Sequence, residues 1–386
     1  MLHGVNAPHF LFFFLFCKRL LHTRIARPCP SRIYENFLKK YLMNGTDKNV
    51  VLLEWYRANK RALPWRENPT PYRVWVSEIM LQQTRVEAAR DYYLRFLREL
   101  PDVEALAECE EDRLLKLWEG LGYYSRVRNM QKAAKLVVEK YGGDFPREEK
   151  ALKALPGIGE YTAGAILSIA YGLPVPAVDG NVFRVLSRLS ENPTDISEPA
   201  YRNYLAEKLR AAYPRDGAGC SDFTQSLMEL GALVCTPRSP SCAKCPLNGL
   251  CRAAAHGTQT RYPVLPEKKE KRKERVFVFL LETPRGIAVR RRETGVLKGM
   301  DEFPSHVVKG EETPEEVLKA WGVSAFTVVR SKNYTHIFTH IRWDMTCFYV
   351  RAEIVPFPTY SLEEIERDVS LPTAFRQCEE ILFLLA

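Results

Sequence analysis

At 386 residues, with 46% hydrophobic and 27% charged residues, the chain is too long for one ordinary compact domain and too apolar to be disordered throughout. Nothing in its composition is fibrous or collagenous. A net charge of +9 and a pI ≈ 9.0 favour a polyanionic partner without choosing between nucleic acid and an acidic membrane.

The first 34 residues hold no Asp or Glu and carry Lys18, Arg19, Arg24, Arg27 and Arg32, with an apolar run at 10–16 that is too short to span a bilayer. Three readings stand open: a mitochondrial presequence, a secretory signal, which the apolar run resembles faintly, and an unstructured extension. From about residue 50 to 250 apolar residues recur at three and four residue spacing, as in 87–100 and 113–121, with short Gly and Pro breaks. This pattern predicts an all-helical domain. The segment 258–275 is polar and charged, with Pro263 and Pro266 resisting helix, and reads as a linker. Beyond it strands are predicted at 275–281, 286–291, 327–331 and 343–351, with a helix at 314–321, so the second domain mixes α and β. No segment reads as transmembrane.

Of the ten cysteines, four crowd into Cys235, Cys242, Cys245 and Cys251, with gaps of six, two and five residues. A loop spaced like this can wrap four thiolates around one cofactor, iron–sulfur or zinc, and a reducing compartment follows. The other six are scattered singly.

Segment 155–166 (LPGIGEYTAGAI) places Gly157 and Gly159 in a tight turn before a helix. Outward backbone N–H groups there can hold a phosphate, although a lone Gly-x-Gly serves equally as an ordinary helix connection. Two carboxylates have contrasting settings. Glu78, in the helix-like stretch 73–89, shares a face with Val74, Trp75, Leu81 and Gln82, where partial burial would raise its pKa toward that of a usable acid. Asp179 lies between the extended 174–178 and the helical 182–189, where helix N–H groups favour its ionised form. Such a pair suits cleavage of a glycosidic bond, and a solvated helix residue and a simple N-cap are the plainer alternatives.

Segments 77–84 (SEIMLQQT), 155–166 and 178–182 (VDGNV), with the cysteine spacing, resemble the MutY family of adenine DNA glycosylases in the helix-hairpin-helix, endonuclease III superfamily. The resemblance runs from about residue 51 to 252 and continues more thinly from 276 to the end. It implies an all-α glycosylase domain at 46–256 with a [4Fe-4S] loop at 235–251, after an extension at 1–45. A linker at 257–275 then leads to an α+β Nudix-like domain, as in MutT, at 276–386. By resemblance Glu78 protonates adenine and helps position or activate water, Asp179 stabilises the oxocarbenium-like state, and Tyr161 and Asn181 line the same site. The superfamily's strand-cutting members carry an amine nucleophile, Lys, where this chain has Tyr161, which implies a monofunctional glycosylase.

Adenine inside a duplex must be extruded and the gap filled. Segment 120–124 (GLGYY) resembles the family's wedge, with Tyr123 as intercalator, although a core aromatic is the commoner role for such a residue. Trp65 and Arg66 of 63–66 (LPWR), with Glu229, resemble adenine-pocket residues, and Gln82, Gln83 and Thr84 are implied DNA contacts. Phe338, Thr339 and His340 resemble the Phe-Ser-His loop that detects oxidised guanine, the Thr adding a methyl that weakens discrimination. Gly299 with Phe303 and Pro304 matches a neighbouring family segment. Segment 310–317 (GEETPEEV) lacks the complete acidic Nudix box that collects magnesium, so the domain is expected to read rather than hydrolyse. The implied partner is duplex DNA with adenine opposite 8-oxoguanine or guanine, bound by a monomer away from membranes. The leader and the basic run 268–273 make nucleus and mitochondrion the expected compartments. Two competitors remain, an endonuclease III-like lyase and a catalytically silent lesion marker.

Overall fold

The computed structural model describes residues 47–267 and 270–383, with side chains from residue 51 onward. The leader 1–45 and Lys268 and Lys269 of the basic run lie outside the described residues. The chain forms two compact units. One comprises Tyr56–Asp179, Tyr213–Ser226 and the chain from Pro266 on; the other comprises Gly180–Ala212 and Leu227–Leu265 with the chain up to Trp55. No described helix is long and apolar enough to cross a membrane.

The first unit begins with helices α1 (Pro71–Leu81), α2 (Val86–Glu99), α3 (Glu111–Leu117), α4 (Ser125–Tyr141) and α5 (Glu160–Ala165), the last running on as a π-helical turn, Ile166–Ala170. The Thr70 side chain caps α1 by accepting from Arg73 N, and Pro71 pre-sets its first turn. The stretch 73–89, expected as one helix, is broken: Gln82 is extended and Gln83 takes φ 66°, which returns the chain for α2. Gln82 therefore does not extend the helical face of Glu78, whereas Leu81, the last residue of α1 and half-buried, still lies on it. Likewise 113–121 is helical only to Leu117, because Gly120 and Gly122 turn the chain at positive φ.

In the other unit α6 (Gly180–Ser190) is apolar on the face carrying Val182, Val185, Leu186 and Leu189 and buries it. The cysteine loop follows through two short 3-10 turns, Cys242–Lys244 and Asn248–Leu250. Residues expected as free linker are tied down here: Thr258 Oγ1 donates to Glu191, and Ile196 N donates to Val264 O at 3.2 Å. A linker running from 257 to 275 is thus too long at both ends, since its far end is already strand at Arg272.

The C-terminal part of the first unit is a mixed sheet with two short strands beside it. Its strands are β1 (Arg272–Thr283), β2 (Gly286–Ala288), β3 (Arg290–Arg291), β4 (Asp301–Glu302), β5 (Ser305–Val307), β6 (Ser324–Ile337), β7 (Ile341–Ile354) and β8 (Thr359–Tyr360), with α7 (Pro314–Ala320) between β5 and β6. The main sheet runs β6-β7-β1-β2-β8, β5 also pairs with β1, and β3 pairs only with β4. β1 is parallel to β7 and β6 is antiparallel to it. Val276, Val278 and Leu280 pack on one face with Trp343 and Phe375, while Phe277, Phe279 and Leu281 pack on the other with Leu318 and Phe348. Burial on both faces explains the unbroken apolar run of β1.

The strand expected at 286–291 breaks at Val289, whose N–H bonds Pro358 O, and the one expected at 327–331 is far longer. β6 is an edge strand whose residues alternate between exposed and half-buried, so its polar half gave no apolar signal. Two of the scattered cysteines, Cys347 and Cys378, are buried and joined as a disulfide.

Candidate active site

α1 packs against α5 and its π-helical continuation, which buries Glu78 to 7% exposure. The Tyr161 hydroxyl, on the second residue of α5, donates to Glu78 Oε2. Burial pushes the Glu78 carboxyl up from 4.5 to about 7; Tyr161 opposes that rise through the hydrogen bond, the Asp179 charge adds to it, and Arg66 opposes it. Burial, then the charges of Glu78 and Asp179, hold the Tyr161 phenol well above its ordinary value, so it stays a donor. A carboxyl raised to about 7 with a second acidic side chain close enough to act on it can serve as an acid paired with a charge stabiliser.

Gly157 takes φ 78°, and a Cβ there would meet Asn129 at 3.0 Å, so the hairpin turn before α5 requires glycine. Gly159 differs from expectation: its extended φ of −91° suits any residue, and it caps α5 with open space around its Cα. Gly164 is the residue whose importance the sequence hid. A Cβ on it would lie 2.0 Å from Pro176 O, so its hydrogen is what lets α5 touch the extended segment leading to Asp179. Tyr161 and Asp179 thus come together because α5 has no side chain at the crossing.

Arg66 donates to Arg61 O at 3.0 Å and lies 5.6 Å from the Tyr56 ring centre, while Trp65 is buried edge-on to Tyr93 at 5.4 Å. Both share a unit with Glu78. Asn181 and Glu229 belong to the other unit. There Asn181 Oδ1 accepts from Arg184 Nη2 at 2.7 Å, and Arg184 also reaches Gly231 O and Cys235 O at 2.8 and 2.7 Å.

Tyr123 is 44% exposed with φ 48°, whereas Tyr124 is buried, so of the two tyrosines only the second is core. The Tyr123 hydroxyl lies 2.9 Å from Thr339 Oγ1. Arg126, absent from the sequence reading, organises this region: Nη1 donates to Ile79 O and Gln82 O at 2.6 Å each, and Nη2 to Leu121 O and Gly122 O at 2.9 and 3.0 Å. One guanidinium thereby fixes both the Gln82–Gln83–Thr84 turn and the Tyr123 loop, lying 5.5 Å from the Tyr123 ring. Its charge acts near both segments with no carboxylate among its hydrogen-bond partners in the described residues.

Phe338, Thr339 and His340 are the three-residue turn between β6 and β7, the two longest strands. Phe338 is half-buried against Trp343 at 4.8 Å, which anchors the turn, while Thr339 and His340 are exposed. Lys271 Nζ donates to Phe338 O at 2.7 Å and Arg272 N to His340 O at 3.1 Å, a clasp that sequence reading missed because it placed both residues in a linker. Gly299 O accepts from Arg128 at 2.7 Å, and Phe303 is fully buried core. In segment 310–317 Glu312 accepts from Lys309 N and pairs with His306, and Glu316 closes the α7 capping box.

Cys235, Cys242, Cys245 and Cys251 line one small void together with Arg188. Among the described residues no three His, Cys, Asp or Glu converge tightly enough to hold a single metal ion. Four sulfurs around a shared void suit a polynuclear cluster better than zinc, whose bonds of about 2.3 Å would draw them to one point. Burial raises the Cys245 and Cys251 thiols, so unligated thiolates here would be costly. Arg188, 2% exposed, donates to Cys235 Sγ at 3.3 Å, to Thr236 O at 2.7 Å and to Pro237 O at 2.8 Å, which supplies positive charge and holds the loop. The donor set and the arginine beside it fit a [4Fe-4S] cluster.

Residues 76–211 match the HhH-GPD superfamily of base excision DNA repair proteins, 235–251 the iron–sulfur binding domain of endonuclease III, and 276–380 the NUDIX domain. Similar curated proteins include the adenine DNA glycosylase of Arabidopsis thaliana, 38% identical over 78% of this chain and 56% of its own length. Those of Mus musculus and Schizosaccharomyces pombe are 34% and 33% identical, over 80% and 78% of this chain and 71% and 81% of theirs. Among solved structures, a thermostable thymine-DNA glycosylase aligns with 58% of this chain and 99% of its own at TM-score 0.50 and 28% identity.

Proposed function

The chain belongs to the adenine DNA glycosylase family, and we propose that it removes adenine mispaired with 8-oxoguanine or guanine by hydrolysing the N-glycosidic bond, without cutting the strand. The observation that carries this reading is the buried Glu78 carboxyl, still half protonated near pH 7, held by Tyr161 and facing the charge of Asp179. Glu78 gives its proton to the departing base. Its carboxylate then accepts a proton from the attacking water. The negative charge of Asp179 stabilises the electron-poor sugar, and Trp65 and Arg66, which share its unit, take the adenine.

Duplex DNA is gripped by the hairpin at Gly157 and Gly159 and by the Gln82–Gln83–Thr84 turn, with Tyr123 filling the gap left by the extruded base. Exposure of Tyr123 supports that role. The turn Phe338, Thr339 and His340 reads the oxidised guanine opposite; its exposed tip beside Tyr123 is the supporting observation. The cluster held by Cys235, Cys242, Cys245 and Cys251 supplies a structural staple, while Arg188 orients the loop around it.

Single-turnover base release from duplexes carrying adenine opposite 8-oxoguanine, guanine or thymine tests the reading. Release from the first two, lost in Glu78→Gln, is expected. Release from none, or efficient borohydride trapping of a covalent protein–DNA adduct, would overturn it in favour of a lesion marker or a lyase respectively.

A further inference from the structure

Away from the adenine site, the Nudix-like part holds a second cavity. It has a volume of about 520 Å³ and opens to solvent, and Arg290, Arg291, Arg292, His306 and Phe357 are among its walls. Its floor is built on one buried carboxylate. Glu302, 1% exposed, pairs with Arg290 Nε at 2.9 Å and Arg292 Nη1 at 2.5 Å, and Ser305 Oγ donates to it at 2.8 Å. Two guanidiniums against one carboxylate leave one net positive charge fixed at the floor.

Both guanidiniums are locked. Arg290 Nη2 donates to Ser305 O at 2.6 Å, with its plane 5.0 Å from Trp321 and 5.6 Å from Phe357. Arg292 Nε donates to Val296 O at 2.7 Å and lies 5.0 Å from Trp343. Yet each keeps one donor group, Arg290 Nη1 and Arg292 Nη2, with no protein partner among the described residues. Arg291 is satisfied by Asp112 and Asp301, and Glu293 is the exposed carboxylate at the rim. With Arg291 offset by its own aspartates, the positive charge of the cavity is that of Arg290 and Arg292 against Glu302 at the floor.

We propose that this cavity is a phosphate-binding site, separate from the adenine site, in which the free Nη groups of Arg290 and Arg292 grip one phosphate group. Preorganised, partly dehydrated guanidiniums with unused donors match tetrahedral oxyanions better than any neutral ligand, because the cost of ordering the arginines is already met in folding. The phosphate comes either from a free nucleotide, whose base then meets Phe357, or from a DNA backbone.

Equilibrium dialysis of the full chain with radiolabelled inorganic phosphate and with dGMP tests the site. Saturable binding with a Kd of about 1 mM or tighter is expected, weakened at least tenfold in Arg290→Gln and severalfold in Arg290→Lys. The lysine variant keeps the charge beside Glu302, so it serves if the glutamine variant does not fold, as judged by circular dichroism. Displacement of bound phosphate by a short lesion-free duplex assigns the site to DNA; displacement by dGMP alone assigns it to free nucleotide. Absence of saturable binding, or binding equally strong in both variants, overturns the proposal, the second because the phosphate would then sit elsewhere, such as at the hairpin.

Discussion

Replacing Glu78 with glutamine should stabilise the protein in alkaline solution while abolishing base release. The carboxyl moves from 4.5 in a solvated chain to about 7 in the fold. Between those values the folded state binds more protons than the unfolded state, so stability falls as pH rises across the window and stays low above it. A shift of about 2.5 units at 1.36 kcal/mol each is a loss of about 3 kcal/mol between pH 4.5 and 8. Glu78 is only 7% exposed, so solvent screening takes little from this figure. Glutamine still accepts from Tyr161 but has no charge to desolvate. Any penalty for its amide is the same at every pH and cancels when the two pH dependences are compared. Differential scanning fluorimetry of both proteins at pH 5 and pH 8.5 reads the effect: between the two pH values the melting temperature of the variant gains on that of the native protein by on the order of 5 °C. Parallel pH dependences would mean that Glu78 is ionised at neutral pH, and the general-acid role would fall with it.

Single-turnover base release should decline about tenfold per pH unit above 7 as Glu78 loses its proton, and Tyr161→Phe should carry that limb to higher pH, since the hydrogen bond it deletes holds the carboxyl down; an unmoved limb would assign the profile to another group. Gly164→Ala puts a Cβ 2.0 Å from Pro176 O, at a cost of about 1–3 kcal/mol. By pushing back the segment that carries Asp179 it should slow base release at least tenfold with duplex affinity retained, as checked by titration beside single-turnover kinetics. Arg126→Lys keeps the charge but cannot span four carbonyls. Losing two such bonds costs about 2–3 kcal/mol, and fluorescence anisotropy should show weaker binding of lesion duplex; unchanged affinity would mean that the two loops hold their shape without it.

Much of the candidate site was legible because its signals are local. Glu78, Tyr161 and Asp179 sit in short segments with a distinctive order, and the cysteine spacing is carried within one loop. The apolar run of β1 and the capping box of α7 were likewise readable from a few neighbouring residues. β6 was not, because an edge strand buries too little on either face to print a pattern. Lys271 passed for linker because its partner, Phe338 O, is sixty-seven residues away.

Arg126 and Gly164 show why the remainder was hidden. In sequence Arg126 is one arginine among several near the start of α4, and nothing local separates it from Arg128, which instead pairs with Glu111 and Gly299 O. Its role depends on which carbonyls lie free, and Ile79 O and Gln82 O are free only because α1 ends at Leu81. That ending is in turn held by Arg126, so helix boundary and tertiary contact are one event that neither segment encodes alone. Gly164 follows the same logic in reverse: its contribution is the absence of a side chain, meaningful only once Pro176 lies against it. Glu78 and Asp179 can therefore be picked out from the chain as a candidate acid and charge stabiliser, whereas Gly164, which lets α5 approach the segment bearing Asp179, and Arg126, which ties the end of α1 to the Tyr123 loop, can be found only in the folded form.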